Sequence, residues 1–261
     1  MLTVTKVSKG FARGPVLRDI NFDLNSGEVV SLIGASGVGK STLLEIVAGA
    51  QPADTGEVVF ENGRTVGYCL QDARLLPWRT VAENVSLPLE LKGLTRSAAL
   101  TAARELLRTL HIDDWGNLEP ASLSGGMVQK VAIAQVVATG ADCLILDEPF
   151  ASMDWRSWQA FGGVVRRSSS NGCGILFTTH ILESAVMFAD RVIVLRGRPA
   201  VVGAYYSVRN GALWSERGDE VATDLRSAVA VLMESVSVEE HAAQAALTDP
   251  LRPKVVLDPN R

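Results

Sequence analysis

The sequence predicts an α/β fold built on a mostly parallel sheet, and three observations carry that reading. Short apolar runs of strand length recur along the chain and alternate with stretches of helical periodicity. One run, Glu28-Val29-Val30-Ser31-Leu32-Ile33, feeds a glycine-rich octet that opens straight into an apolar helix at residues 42–48. Another, Cys143-Leu144-Ile145-Leu146, ends in the adjacent acids Asp147 and Glu148. In an open parallel sheet, ligands bind beyond the carboxyl ends of the strands, so acids at that point face a site.

Taken in chain order, residues 2–7 read as the first strand. Ile20, Phe22 and Leu24 alternate with polar neighbours and predict a second, half-exposed strand. Residues 57–60 and 66–70 read as further strands. From residue 71 to about 135 the pattern turns helical, with turns marked by Pro77, Pro88, Gly93 and Gly116. Within it, Ala99, Ala102, Ala103, Leu106, Leu107 and Leu110 fall at helical spacing, and residues 128–137 form a second apolar helical run. Strands return at residues 143–146, 175–178 and 191–195. The helical stretch therefore interrupts the sheet as an inserted lobe. The domain reading is one α/β unit over residues 1–203, carrying a helical subdomain at about 71–135, and a C-terminal extension over 204–261. In that extension, residues 220–247 read as one or two helices, and 249–261, with three prolines, as a loose tail.

The composition sets limits. At 261 residues and 47% apolar content the chain has enough material for a substantial core. A net charge of −4 gives no electrostatic footprint for nucleic acid. Cys69, Cys143 and Cys173 are few, odd in number and far apart, which predicts buried free thiols and no disulfide or zinc framework. The residues after Met1 lack the apolar centre of a secretory signal, and no stretch reaches the ~18 apolar residues needed to span a bilayer, so a membrane role must run through a partner.

The octet Gly34-Ala35-Ser36-Gly37-Val38-Gly39-Lys40-Ser41 fits G-x-x-x-x-G-K-[ST], the phosphate-binding loop. Its glycines let backbone N–H groups close around phosphate oxygens, and the helix beginning near Thr42 adds its positive dipole end. Lys40 is placed to reach β- and γ-phosphates, and Ser41 to ligate Mg²⁺. Asp147 is placed to hold the same ion through water, and Glu148 to polarise a water attacking the γ-phosphate. Ser124, Gly125 and Gly126 precede an apolar helix and form a second anion-binding helix start. His180 and Gln71 each follow a strand. The imidazole is a candidate donor to the γ-phosphate, and the Gln71 amide a candidate ligand of Mg²⁺ or of the attacking water.

Together these residues resemble the ATP-binding cassette family. Residues 34–42 match its Walker A loop, Gln71 its Q-loop and Leu123-Ser124-Gly125-Gly126 its signature motif. Residues 143–148 match Walker B, Ala151-Ser152-Met153-Asp154 the D-loop and His180 the switch histidine, all in the family's order and spacing. The resemblance covers about residues 1–203. It implies a P-loop NTPase core with a mixed, mostly parallel sheet, an antiparallel β subdomain and the inserted helical subdomain. It also gives Phe11 two readings, an aromatic stacked on adenine or an edge-of-core aromatic. The chain departs from the family's pattern at Met127, where Gln is usual, at Lys130 and Gln135, where arginines are common, and in the D-loop. Trp155 and Trp158 follow, then Gly162-Gly163 within a predicted helix.

The resemblance further implies ATP and Mg²⁺ as ligands. Two copies would pair head to tail, each ATP held between residues 34–42 of one and Ser124-Gly125-Gly126 of the other. An integral-membrane permease would be driven by the pair, with a substrate-binding protein acting indirectly, at the cytoplasmic face of the inner membrane. Nucleic acid is not an expected partner. Residues 75–85, 189–195 and Arg198-Pro199 look like the nitrate, sulfonate and taurine branch of bacterial importers, with Leu75, Leu76 and Trp78 either lining the permease groove or packing in the helical lobe. The alternatives are a regulatory, low-turnover cassette and a soluble non-transport ATPase.

Overall fold

The computed structural model describes residues 1–61, 63–70, 74–151, 153–209, 212–215, 220–223 and 226–236. The chain opens with β1 (Leu2–Phe11) and β2 (Gly14–Leu24), then β3 (Val29–Gly34), α1 (Lys40–Val47), β4 (Thr55–Phe60) and β5 (Val66–Cys69). The helical lobe follows as α2 (Val81–Leu91), α3 (Arg96–Thr109) and α4 (Gly125–Ala138). The chain returns through β6 (Cys143–Leu146), α5 (Trp155–Ser170), β7 (Gly174–Thr178), α6 (Leu182–Phe188) and β8 (Arg191–Arg196). It continues into β9 (Val201–Arg209), β10 (Ala212–Ser215) and β11 (Glu220–Ala222).

Two sheets result. A three-stranded antiparallel sheet has the order β2-β1-β4, and the main eight-stranded sheet the order β11-β10-β9-β8-β3-β7-β6-β5. In the main sheet β8, β3, β7, β6 and β5 run parallel, and β9, β10 and β11 extend it antiparallel. The mixed sheet, the antiparallel subdomain and the helical insertion match the expected fold class. In β6 successive side chains point to opposite faces. Cys143 and Ile145 join a core with β1, β2 and α1, while Leu144 and Leu146 join a second core with α2, α3, α4 and α5.

Two local expectations are corrected. Pro88 does not mark a turn: it stands inside α2, which continues to Leu91 with the Lys92 N–H donating to the Pro88 carbonyl at 3.2 Å. A capping box starts that helix, with the Glu83 N–H donating to Thr80 Oγ1 and the Thr80 N–H to Glu83 Oε2, and the proline's missing donor falls in its second half. Residues 220–222 form a strand, and the helix of the extension is described over 226–236. β9 passes through residue 203, so the main sheet runs on into the extension, and Leu213, Ala222, Ala228 and Leu232 join the core on the helical face. The tail at 249–261 lies outside the described residues.

The three thiols are free and buried, as their spacing predicts. Burial pushes Cys69 and Cys143 up to about 12 and Cys173 to about 11, which leaves them unreactive at neutral pH. One buried polar residue organises the entrance to the helical lobe. Asn84 accepts from the Leu76 N–H at 2.8 Å and donates to the carbonyls of Leu76, Arg79 and Thr80 at 3.0–3.1 Å. Residues 76–80 are thereby pinned to α2, while Trp78 projects into solvent, 75% exposed.

Candidate active site

The phosphate loop runs from the end of β3 into α1. Gly39 caps the helix at φ +114° and Gly37 stands at φ +72°, backbone conformations that side-chain-bearing residues rarely adopt. No side chain caps α1, and its first turn carries no acid. Its leading N–H groups and positive dipole end are therefore not neutralised from within the helix, which suits an anion. Lys40, 8% exposed, donates from Nζ to the carbonyls of Gly34 at 2.9 Å and Ala35 at 3.3 Å. Burial lowers its pKa from the ordinary 10.5, and the charges of Glu148 and Asp147 pull it back up. Both acids thus act electrically on the loop lysine.

The acids come from the end of β6. Parallel pairing of β6 with β7 sets Leu146 opposite Phe177, so the next residues, Asp147 and Thr178, lie side by side. Thr178 Oγ1 donates to Asp147 Oδ1 at 2.5 Å and accepts from the Glu148 N–H at 2.9 Å. Asp147 is 3% exposed. Glu148 sits at φ +50°, a left-handed conformation costing a non-glycine residue about 1–2 kcal/mol. That turn sends Glu148 away from Asp147 and toward His180. His180 Nδ1 lies 2.8 Å from Glu148 Oε2, and the His180 backbone N–H reaches the same oxygen at 3.2 Å. A carboxylate only accepts, so Nδ1 carries the proton. The sequence reading took Thr178 only as a strand residue. The available signal was a polar side chain closing the apolar run Ile175-Leu176-Phe177.

The donor chemistry fits Mg²⁺. Ser41 Oγ and the Asp147 carboxylate are hard oxygen donors, and a buried carboxylate needs cationic or hydrogen-bonding partners. Among the described residues no group of three or more His, Cys, Asp or Glu side chains could hold a metal ion. The ion this set suits is one that keeps waters and takes phosphate oxygens, as Mg²⁺ does, and not a zinc-type centre.

Ser124 caps α4, accepting from the Met127 N–H at 3.4 Å. Among the described residues no hydrogen bond joins Ser124, Gly125 or Gly126 to the phosphate loop. Lys130, on the same helix, donates to Ser157 Oγ at 2.8 Å and pairs with Asp154 at 3.6 Å, so α4 is tied to the start of α5. Phe11 ends β1, 50% exposed, with Lys9 Nζ 5.6 Å from its ring centre. Gln71 and Ser152 lie outside the described residues.

Residues 17–151 match the ABC transporter family. An aliphatic sulfonates import ATP-binding protein of Xanthomonas axonopodis pv. citri is 40% identical over 203 residues, 74% of this chain and 80% of that one. A taurine import ATP-binding protein of Rhizobium johnstonii is 33% identical over 233 residues, 86% of this chain and 88% of that one. Among solved structures, a dimeric ATP-binding cassette in a post-hydrolysis state, bound to ADP and Pi, superposes with a TM-score of 0.74. It is 27% identical and covers 80% of this chain and 100% of that one.

Proposed function

The chain belongs to the ABC transporter family, and from that premise we propose that it is the ATP-hydrolysing subunit of an importer, energising a membrane permease that brings in a small anion. The observation that carries the reading is the gathering of Lys40, Asp147, Glu148 and His180 at the carboxyl ends of β3, β6 and β7. Sulfonates and taurine are the favoured cargo class, since relatives named for those imports match most of the chain.

The roles follow from position. The α1 N-terminus and Lys40 bind the phosphates of ATP. Glu148 takes a proton from the water that attacks the γ-phosphate, and His180 fixes the Glu148 carboxylate through Nδ1 and presents its other ring nitrogen outward. Ser41 and Asp147 hold Mg²⁺, which when bound neutralises charge on the phosphates. Phe11, exposed at the end of β1, offers a face to the base. Gln71, outside the described residues, stays a candidate ligand of Mg²⁺ or of the attacking water by the resemblance alone.

Ser124, Gly125 and Gly126 complete the site from a second copy. Within one chain they lie on the helical lobe with no hydrogen bond to the phosphate loop among the described residues, and a head-to-tail pair brings them onto the ATP of the partner. The dimeric state of the solved cassette supports this. No helix among the described residues is long and apolar enough to cross a membrane. In the importer reading the chain sits at the cytoplasmic face, docked on the permease through the segment that exposes Trp78, with a substrate-binding protein on the far side.

The test is nucleotide-driven pairing. Purified Glu148→Gln chain should shift from monomer to dimer on adding ATP, measured by light scattering, and Lys40→Ala should not. A monomer at saturating ATP in the first variant would count against the paired site. Unchanged ATP affinity in Lys40→Ala, read by calorimetry, would remove the phosphate-loop assignment.

A further inference from the structure

We propose that Thr178 is a positioning residue for hydrolysis, its hydroxyl setting the metal-side acid and the general base with two hydrogen bonds. The proposal rests on the ATPase reading above. β7 is buried along its whole length, and its first four residues, Gly174, Ile175, Leu176 and Phe177, are non-polar. Thr178 breaks that run with a fully buried hydroxyl. Valine has the same β-branched shape and would suit the strand equally, so packing alone does not call for the oxygen.

The hydroxyl has one proton and lone pairs to spare, and both capacities are used. The proton goes to Asp147 Oδ1 at 2.5 Å, and a lone pair takes the Glu148 N–H at 2.9 Å. The first bond restrains the rotation of the Asp147 carboxylate and leaves Oδ2 as the oxygen that would be free to hold Mg²⁺. The second anchors the peptide N–H of a residue in the left-handed region, at φ +50°. Glu148 has to hold that conformation for its carboxylate to meet His180, and a buried N–H without a partner would favour another. One side chain on a neighbouring strand therefore sets both acids together. The Asp147 N–H is taken by the Cys69 carbonyl at 3.0 Å, so the backbone of Asp147 is held by β5 and its carboxylate by Thr178.

The experiment compares Thr178→Ser with Thr178→Ala in the purified full-length chain. Both lose the same methyl group and differ only in the hydroxyl, so a fault in packing affects them alike. Thr178→Val, which keeps the shape, is the third variant. The readouts are ATP affinity by calorimetry with and without Mg²⁺, and steady-state kcat and KM. Partners one step removed from a metal ligand typically alter affinity or activity about 10–100-fold. Thr178→Ala and Thr178→Val should lose the Mg²⁺-dependent gain in ATP affinity by about tenfold and kcat by about 10–100-fold. Metal-free affinity should hold, and Thr178→Ser should stay within about threefold of wild type. Equal losses in the serine and alanine variants would overturn the proposal, as would alanine and valine variants that keep both the Mg²⁺ dependence and kcat. A wild-type chain that binds no ATP, with Lys40→Ala indistinguishable from it, would instead overturn the ATPase reading. That result is separable because it appears before any Thr178 variant is made.

Discussion

His180 and Glu148 form a closed pair: one carboxylate oxygen, Oε2, receives both the imidazole Nδ1–H at 2.8 Å and the histidine's own backbone N–H at 3.2 Å. Two donors from one residue leave that carboxylate little freedom to turn. Glu148→Gln should keep ATP binding and cut turnover by ~10²–10⁴-fold, the usual cost of losing a general base. His180→Ala should cost a comparable amount. The double variant should lose no more than the worse single one, because the two act as a unit. Steady-state and single-turnover ATPase rates decide it, and additive losses would separate the pair.

Phe11→Ala should weaken ATP binding by about 5- to 160-fold, the range expected for one base–aromatic stack. Half of Phe11 is open to solvent at the end of β1, and a Lys9 ammonium already lies 5.6 Å from its ring. Phe11→Tyr should retain affinity, since the stacking face persists. An unchanged Kd in the alanine variant would leave Phe11 as an aromatic at a sheet edge.

Gly162 and Gly163 are neighbours in α5 with opposite prospects. A Cβ on Gly162 would stand 2.3 Å from the Phe188 ring, which is itself stacked on Phe150 at 4.8 Å. A Cβ on Gly163 would meet nothing within 4 Å among the described residues beyond its own stretch of helix. Gly162→Ala should therefore destabilise the fold by about 1–3 kcal/mol through overpacking. Gly163→Ala should stabilise it by about 1 kcal/mol, the ordinary helix preference. Urea unfolding of both variants gives the comparison, and a stabilised Gly162→Ala would show that the ring moves aside freely.

Asp142 links the strand starts on the side of the sheet away from the site. Hydrogen bonds from the Thr65 N–H and hydroxyl, then from Arg64, hold its carboxyl at about 2, below the ordinary 3.8. A carboxyl lowered in the folded state stabilises above its unfolded value, and that contribution fades as pH falls from about 4 through about 2. Asp142→Asn should be less stable than wild type at pH 7, and the gap should narrow across that window. Melting curves at pH 7, 4 and 2.5 test the sign. A gap that stays constant with pH would remove Asp142 from the account.

Much of this was legible from local pattern. The glycine octet, the acids after residues 143–146 and the parallel strands around them each sit within one short segment, so spacing alone exposes them. The extension was harder to read. Every residue of β9 but the last is half-buried, so it offers no period-two alternation, and β11 is three residues long. Other misses depend on partners far along the chain. Thr178 matters because β7 is registered beside β6, and Gly162 matters because Phe188 arrives from a different helix. No window of one segment contains either fact.

The four hydrogen bonds of Asn84 have a mechanical consequence. They weld the stretch bearing Trp78 onto α2, so that stretch has no slack in which to absorb a displacement. A push on the exposed indole is borne by the whole helix, and through its packing on α3 and α4 by the lobe that carries Ser124. Under the docking proposed above, the lobe would serve as a lever with its handle at residue 78 and its working end at the start of α4. Cutting the weld, while leaving both ends intact, would uncouple load from stroke.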